Sequence, residues 1–177
     1  MKLHIIRHGE PDYENDTLTP LGLKQAKALT NLPEIMAVRR VLSSPMGRAK
    51  ETARPAAQAA GIPVEIIPWL REMDDVVVWD KKRPDLAVWN LPPQRLSPME
   101  SGSWLDEEIF CGTKLIRRWE ELCAGADAFL APYGIVRKNG GWSADGLEKD
   151  SLELAFFCHL GVGLTLTAYL LDVCPPA

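Results

Sequence analysis

The run Leu3 to Ile6 is apolar, of strand length, and ends in the turn Arg7-His8-Gly9, a context that predicts a strand. Thr19 followed by Pro20 reads as a helix start, and Leu21, Ala26, Ala28 and Leu29 supply its apolar stripe as far as Pro33. Val38 to Ser44 reads as a second strand. Ser44 and Pro45 are then expected to open a second helix that runs to Ala60 and stops at Gly61. Val64 to Ile67 is a third short strand. The order β, α, β, α, β is the grammar of a parallel sheet with helices on its faces.

The rhythm breaks over residues 72–103, where Pro84, Pro92, Pro93 and Pro98 mix with Trp79, Trp89 and charges of both signs. That composition suits an irregular excursion over a sheet edge, of the kind that covers a site. Helical spacing returns over 104–130 through Leu105, Ile109, Leu115, Ile116, Trp119 and Leu122. Residues 133–150, rich in glycine, read as a loop with a short helix near 143–149. Leu152 to Cys158 is the fourth strand, and Leu164 to Leu171 the last helix. The apolar stretch Leu154 to Leu171 approaches the length of a membrane span. Gly161 and Gly163 punctuate it and nothing basic flanks its far side, so strand, turn and helix is the better reading.

At 177 residues the chain has the length of one domain, expected over 1–177 with an insertion or cap at about 72–108. The fold class expected is α/β, a three-layer sandwich with a mostly parallel central sheet and helices on both faces. Twenty Lys and Arg against 24 Asp and Glu leave a net charge of −4, with no run of five like charges. Neither a nucleic-acid tail nor a polybasic membrane patch is present, so nucleic-acid and membrane partners are not expected. Cys111, Cys123, Cys158 and Cys174 include no CxxC pair, which argues against a zinc site and a disulfide framework and for a reduced, cytoplasmic setting.

Three strand ends carry chemistry. Arg7-His8-Gly9-Glu10 follows the first strand, Ser43-Ser44-Pro45-Met46-Gly47-Arg48 follows the second, and Cys158-His159-Leu160-Gly161 follows the fourth. Ligands in open α/β sheets bind outside the carboxyl ends of the strands. A helix start offers unpaired N–H groups to an anion, and an arginine one turn in adds a bidentate fork. Two of the three histidines, His8 and His159, stand at such ends; His4, inside the first strand, reads as a packed or partner-contacting residue.

These residues resemble the histidine phosphatase family, also called the phosphoglycerate-mutase-like superfamily. Arg7-His8-Gly9-Glu10 is similar to its N-terminal signature, and Leu18-Thr19-Pro20-Leu21-Gly22 with Gln25-Ala26 to its first-helix motif. Ser44-Pro45 with Arg48-Ala49 and Thr52-Ala53 is similar to its second-arginine motif, Glu72 after Leu70 to its acid position, and His159 with Gly161 to its C-terminal histidine motif.

The resemblance implies a metal-independent phosphatase, without cofactor, acting on a small phosphorylated metabolite. His8 would form a phosphohistidine. Arg7, Arg48 and a protonated His159 would bind the phosphoryl oxygens, joined by Gly161 and Asn15. Glu72 would serve as general acid and base, with Asp74 and Asp75 as alternatives for that role and Glu10 as a neighbouring carboxylate partner. The alternatives are a phosphoglycerate-mutase-like phosphotransferase and a phospho-ligand-binding scaffold that lacks the reaction. Pro11 and Glu14 stand where mutase-like members usually carry Ser or Thr and Asn, and the acidic balance of 72–108 is unlike a bisphosphate site, which favours phosphatase. The family sheet generally gains a strand after the last helix, so that strand is expected to be missing here. The tryptophan-bearing excursion makes a homodimer an expectation.

Overall fold

The computed structural model describes residues 1–73, 113–139, 141–144 and 152–173, with Leu86, Ala87, Asn90, Asp106 and Phe110. Most of the expected insertion, the start of the expected helix over 104–130, the short helix near 143–149, Asp74, Asp75, Cys111 and Cys174 lie outside the described residues. Contacts divide the chain into two compact units, Met1–Glu72 with Glu148–Gly163, and Met73–Leu147 with Leu164–Ala177.

The first unit is built on four parallel strands. These are β1 (Lys2–Arg7), β4 (Arg40–Ser43), β5 (Val64–Ile66) and β8 (Glu153–Cys158), arranged in the order β1-β8-β4-β5. Every residue of β8 is buried, as expected of a central parallel strand covered on both faces. Side chains alternate along each strand. Val41, Ala155 and Phe157, with Ile6, form one face. Ala53, Ala56 and Ala57 of helix α3 (Gly47–Ala60) belong to the same core cluster. The helix ends at Gly61, whose φ of +67° lets its N–H reach the carbonyls of Ala57 and Gln58. On the other face Phe156 meets Trp69 edge-on at 6.0 Å.

A two-stranded hairpin, β2 (Pro11–Asp12) with β3 (Thr17–Leu18), leads from β1 to helix α1 (Pro20–Ala28). Thr19 caps α1 as expected, accepting from the Gly22 N–H, with Pro20 in the first turn. The helix does not continue to Pro33. It tightens over Leu29–Asn31, and Pro33, pre-set for a first turn, opens the short helix α2 (Pro33–Met36).

Two further boundaries differ from expectation. Ser44 does not cap α3; Met46 stands at the cap position in extended conformation and the helix begins at Gly47. Helix α5 (Leu160–Leu171) begins four residues early, so Gly161 and Gly163 are helical rather than a turn. A Cβ on Gly163 would lie 3.3 Å from Ile5 Cγ2 and 3.5 Å from Cys158 Sγ, so the missing side chain lets the first turn lie against the sheet. Among the described residues no helix is long and apolar enough to cross a membrane.

In the second unit helix α4 (Leu115–Leu130) precedes a hairpin, β6 (Val136–Lys138) with β7 (Gly141–Ser143), where a loop was expected. Arg137 explains the ordering. Its guanidinium lies 4.9 Å from the Trp142 ring and 4.6 Å from the Tyr169 ring and pairs with Asp172. The Tyr169 hydroxyl donates to Asp127 at 2.6 Å.

Candidate active site

Strand register builds the site. Arg7 pairs with Cys158 across β1 and β8, and Ser43 with Phe157 across β4 and β8. The next residues, His8, His159 and Ser44, therefore emerge side by side from three adjacent strands, which are spaced by about 4.8 Å. The His8 and His159 ring centroids are 5.1 Å apart, and both side chains are buried. The two imidazoles converge as the sequence required.

His8 is held in one tautomer. Its Nδ1 lies 2.7 Å from the Gly9 carbonyl oxygen, which can only accept, so Nδ1 carries the proton and Nε2 presents a lone pair. Burial, with Arg48 and Arg7 nearby, holds its pKa below the ordinary 6.5, against the opposing pull of the Gly9 hydrogen bond. The ring is neutral at neutral pH. The Gly9 N–H donates to Thr52 Oγ1 at 3.0 Å, and that hydroxyl donates to the Arg48 carbonyl at 2.7 Å, tying the turn after β1 to α3.

His159 corrects the expectation of a protonated ring. Burial first, then Arg48 and His8, push its pKa down to about 3, so it is neutral at neutral pH. Its Nε2 lies 2.7 Å from Ser44 Oγ, and its Nδ1 is buried with no hydrogen-bond partner among the described residues.

Arg48 is 5% exposed and sits in the first turn of α3, as the sequence reading placed it. Its Nη1 donates to Asp16 Oδ1 at 2.6 Å, while Asp16 Oδ2 accepts from the Gly47 N–H at 2.5 Å. A carboxylate thus occupies the guanidinium and the helix start that the sequence assigned to a phosphate. Asp16 takes a left-handed φ of +49° to do so, and burial opposes while the Gly47 and Arg48 contacts hold its carboxyl below the usual range. The Tyr13 ring lies 5.3 Å from the Arg48 guanidinium carbon and 6.5 Å, edge-on, from the His8 ring. Sequence reasoning missed Asp16 and Tyr13. An aspartate in a two-strand turn, a residue type that tolerates the left-handed region, was the available signal for Asp16.

Glu72 reaches the site from beyond β5. Its Oε1 accepts from the Val162 N–H at 3.1 Å and its Oε2 from the Gly161 N–H at 3.3 Å, so it caps α5 immediately after His159. Its charge is felt at the His8 ring. Arg7, at the end of β1, is exposed and acts on both imidazoles through its charge.

Three other expectations are corrected. The Gly161 N–H goes to Glu72 instead of standing ready for phosphate. Asn15 is exposed, its side-chain amide donating to Asp12 Oδ2 at 2.8 Å, because the tight β2–β3 turn gives it a local acceptor. Glu10 is turned instead to the start of α1, where Thr19 Oγ1 donates to its Oε2 at 2.8 Å. His4, half-buried, lies 3.1 Å from Glu153 Oε2.

The model of the histidine phosphatase superfamily (branch 1) matches residues 3–99. The chain belongs to this superfamily. The sequence is 38% identical over 82 residues to "Adenosylcobalamin/alpha-ribazole phosphatase" of Salmonella typhimurium, covering 41% of each chain. It is 26% identical over 156 residues to "Probable phosphoglycerate mutase GpmB" of Yersinia pestis, covering 77% of this chain and 71% of that one. It spans about two fifths of the length of the Salmonella relative. The alpha-ribazole phosphatase structure from Shigella flexneri shares the fold with a TM-score of 0.60 at 23% identity, over 99% of this chain and 82% of that one. A mycobacterial glucosyl-3-phosphoglycerate phosphatase does so with a TM-score of 0.60 at 22% identity, over 97% and 80%. The mostly parallel α/β sheet of this chain is the fold of those proteins.

Proposed function

We propose that this chain is a phosphatase that hydrolyses small phosphomonoesters through a phosphohistidine on His8. The observation that carries the reading is the His8 ring, buried, neutral, locked with a bare Nε2 and set 5.1 Å from a second imidazole. Nε2 attacks phosphorus in line as the ester P–O bond breaks, and Glu72 hands a proton to the leaving oxygen. In the second half water attacks phosphorus, gives its proton to Glu72, and the P–N bond breaks to release inorganic phosphate. Arg7 and Arg48 hold the equatorial oxygens, where phosphoryl transfer is mainly a matter of positioning and charge. For Arg48 that role includes exchanging the Asp16 carboxylate for phosphate.

Relatives named as alpha-ribazole phosphatase support release to water, and the GpmB-named relative supports transfer between hydroxyls as the second reading. Half-buried Asp16, paired with Arg48, and exposed Glu14 on the same hairpin bring negative charge to this side of the site and disfavour a bisphosphate. Turnover of p-nitrophenyl phosphate with chelator present tests the reading. His8→Ala should lower kcat by more than about 10⁴-fold and abolish 32P trapping on the protein. Unchanged turnover in that variant sinks it. Phosphate appearing on a second hydroxyl of the substrate rather than in solution identifies the transferase, and phosphate binding without turnover the scaffold.

A further inference from the structure

Ser44 and His159 are both almost fully buried, and their contact can be solved by accounting for every proton. Ser44 Oγ accepts from the Met46 N–H at 3.2 Å and lies 2.7 Å from His159 Nε2. The serine hydroxyl has one proton to place, and among the described residues its acceptor is that Nε2. With the hydroxyl donating, Nε2 is bare and the ring proton sits on Nδ1. With Nε2 donating instead, both the serine proton and the Nδ1 lone pair are buried without partners, a costlier arrangement. The first assignment leaves a single group unsatisfied, an N–H at Nδ1.

That N–H belongs to a ring whose centroid lies 5.1 Å from that of His8, with Nδ1 buried and without a hydrogen-bond partner among the described residues. We propose that Ser44 is a positioning residue that locks His159 as its Nδ1–H tautomer, so that a neutral imidazole donates its one unpaired hydrogen bond to a phosphoryl oxygen held at His8. The phosphoryl half rests on the phosphatase reading above; the tautomer lock does not. His159 then contributes to binding and to the transition state without taking up a proton, and Ser44 acts through it without touching the substrate.

The test is 15N NMR of the histidine side chains in the whole chain, free and titrated with inorganic phosphate. In the free protein His159 should show a protonated Nδ1 and a bare Nε2, and phosphate should move the Nδ1 proton. Ser44→Ala should shift the ring toward the Nε2–H tautomer and lower kcat/KM about 10-fold to 100-fold, and Ser44→Thr, which keeps the hydroxyl, should restore both. A wild-type ring protonated at Nε2 overturns the proposal, and needs no variant to be folded. Phosphate that shifts His8 but leaves the Nδ1 proton unmoved overturns the donor role. Phosphate that shifts neither ring removes the phosphatase reading and the donor role with it, while the Ser44 lock stands on the free-state spectrum.

Discussion

Glu72 caps α5 through Gly161 and Val162, and the proposed reaction gives its carboxyl a second duty, moving a proton near His8. The two duties separate by leaving group. Glu72→Gln should lower kcat by about 10²–10⁴-fold on an alkyl phosphate, whose alkoxide needs a proton, and far less on p-nitrophenyl phosphate. Equal losses on both substrates would mean the carboxyl acts only as a cap. Asp16 is the second residue that decides behaviour, because it already holds the guanidinium and the helix start that phosphate requires. Asp16→Ala should cost about 1 kcal/mol in the absence of ligand, the partial exposure of the carboxylate screening the pair. Inorganic phosphate should then raise the Tm of the variant more than that of the wild type, read by calorimetry. Equal phosphate-induced shifts would show that Asp16 and phosphate do not compete.

At the level of elements, the site depends on backbone passing close to backbone. A Cβ on Gly47 would lie 2.0 Å from the Asp16 carbonyl oxygen, and one on Gly22 2.2 Å from that of Glu10. Gly47→Ala should therefore push the β2–β3 hairpin off α3, cost about 1–3 kcal/mol in chemical denaturation, and raise KM by separating Asp16 and Arg48 from His8. A variant with wild-type stability and KM would contradict that packing. These glycines explain how much of the site could be read in advance. The convergence of His8, Arg48 and His159 was legible because each lies within a few residues of a strand end or helix start marked by Gly, Ser or Pro, whereas Glu72 was singled out only through the family resemblance. Asn15, Gly161 and Glu10 were misassigned because their partners, Asp12, Glu72 and Thr19, are chosen by side-chain geometry that spacing along the chain does not encode. The neutral state of His159 was illegible for a related reason: it follows from burial beneath neighbours distant in sequence. The parallel strands announced themselves by short apolar runs, whereas the β6–β7 hairpin, held by Arg137 stacked on Trp142 and Tyr169, left no alternating pattern to read.

For the molecule as a whole, two buried neutral imidazoles mean sensitivity to acid. Both His8 and His159 have folded pKa values below the ordinary 6.5, His159 at about 3, so the unfolded chain binds their protons first. Stability is therefore fully present above about pH 6.5 and is lost as pH falls toward 3, by up to about 1.4 kcal/mol per pH unit for each ring. Between pH 4.5 and 6.5 the carboxylates held low, such as Asp16, Glu51 and Glu153, remain ionised in the folded chain, and the rings dominate the slope. Denaturation curves across that window should be steeper in pH for the wild type than for His159→Gln by up to one proton. Parallel curves would show that the ring is charged in the folded protein.

The strand order adds a constraint in time. β8 lies between β1 and β4, so β1 waits roughly 150 residues during synthesis for the neighbour that completes its ladder. Until that late strand is threaded into the gap, His8 has no second imidazole beside it. A nascent chain therefore lacks the paired imidazoles until the middle strand is inserted, and under the proposed reaction competence arrives in one step with it.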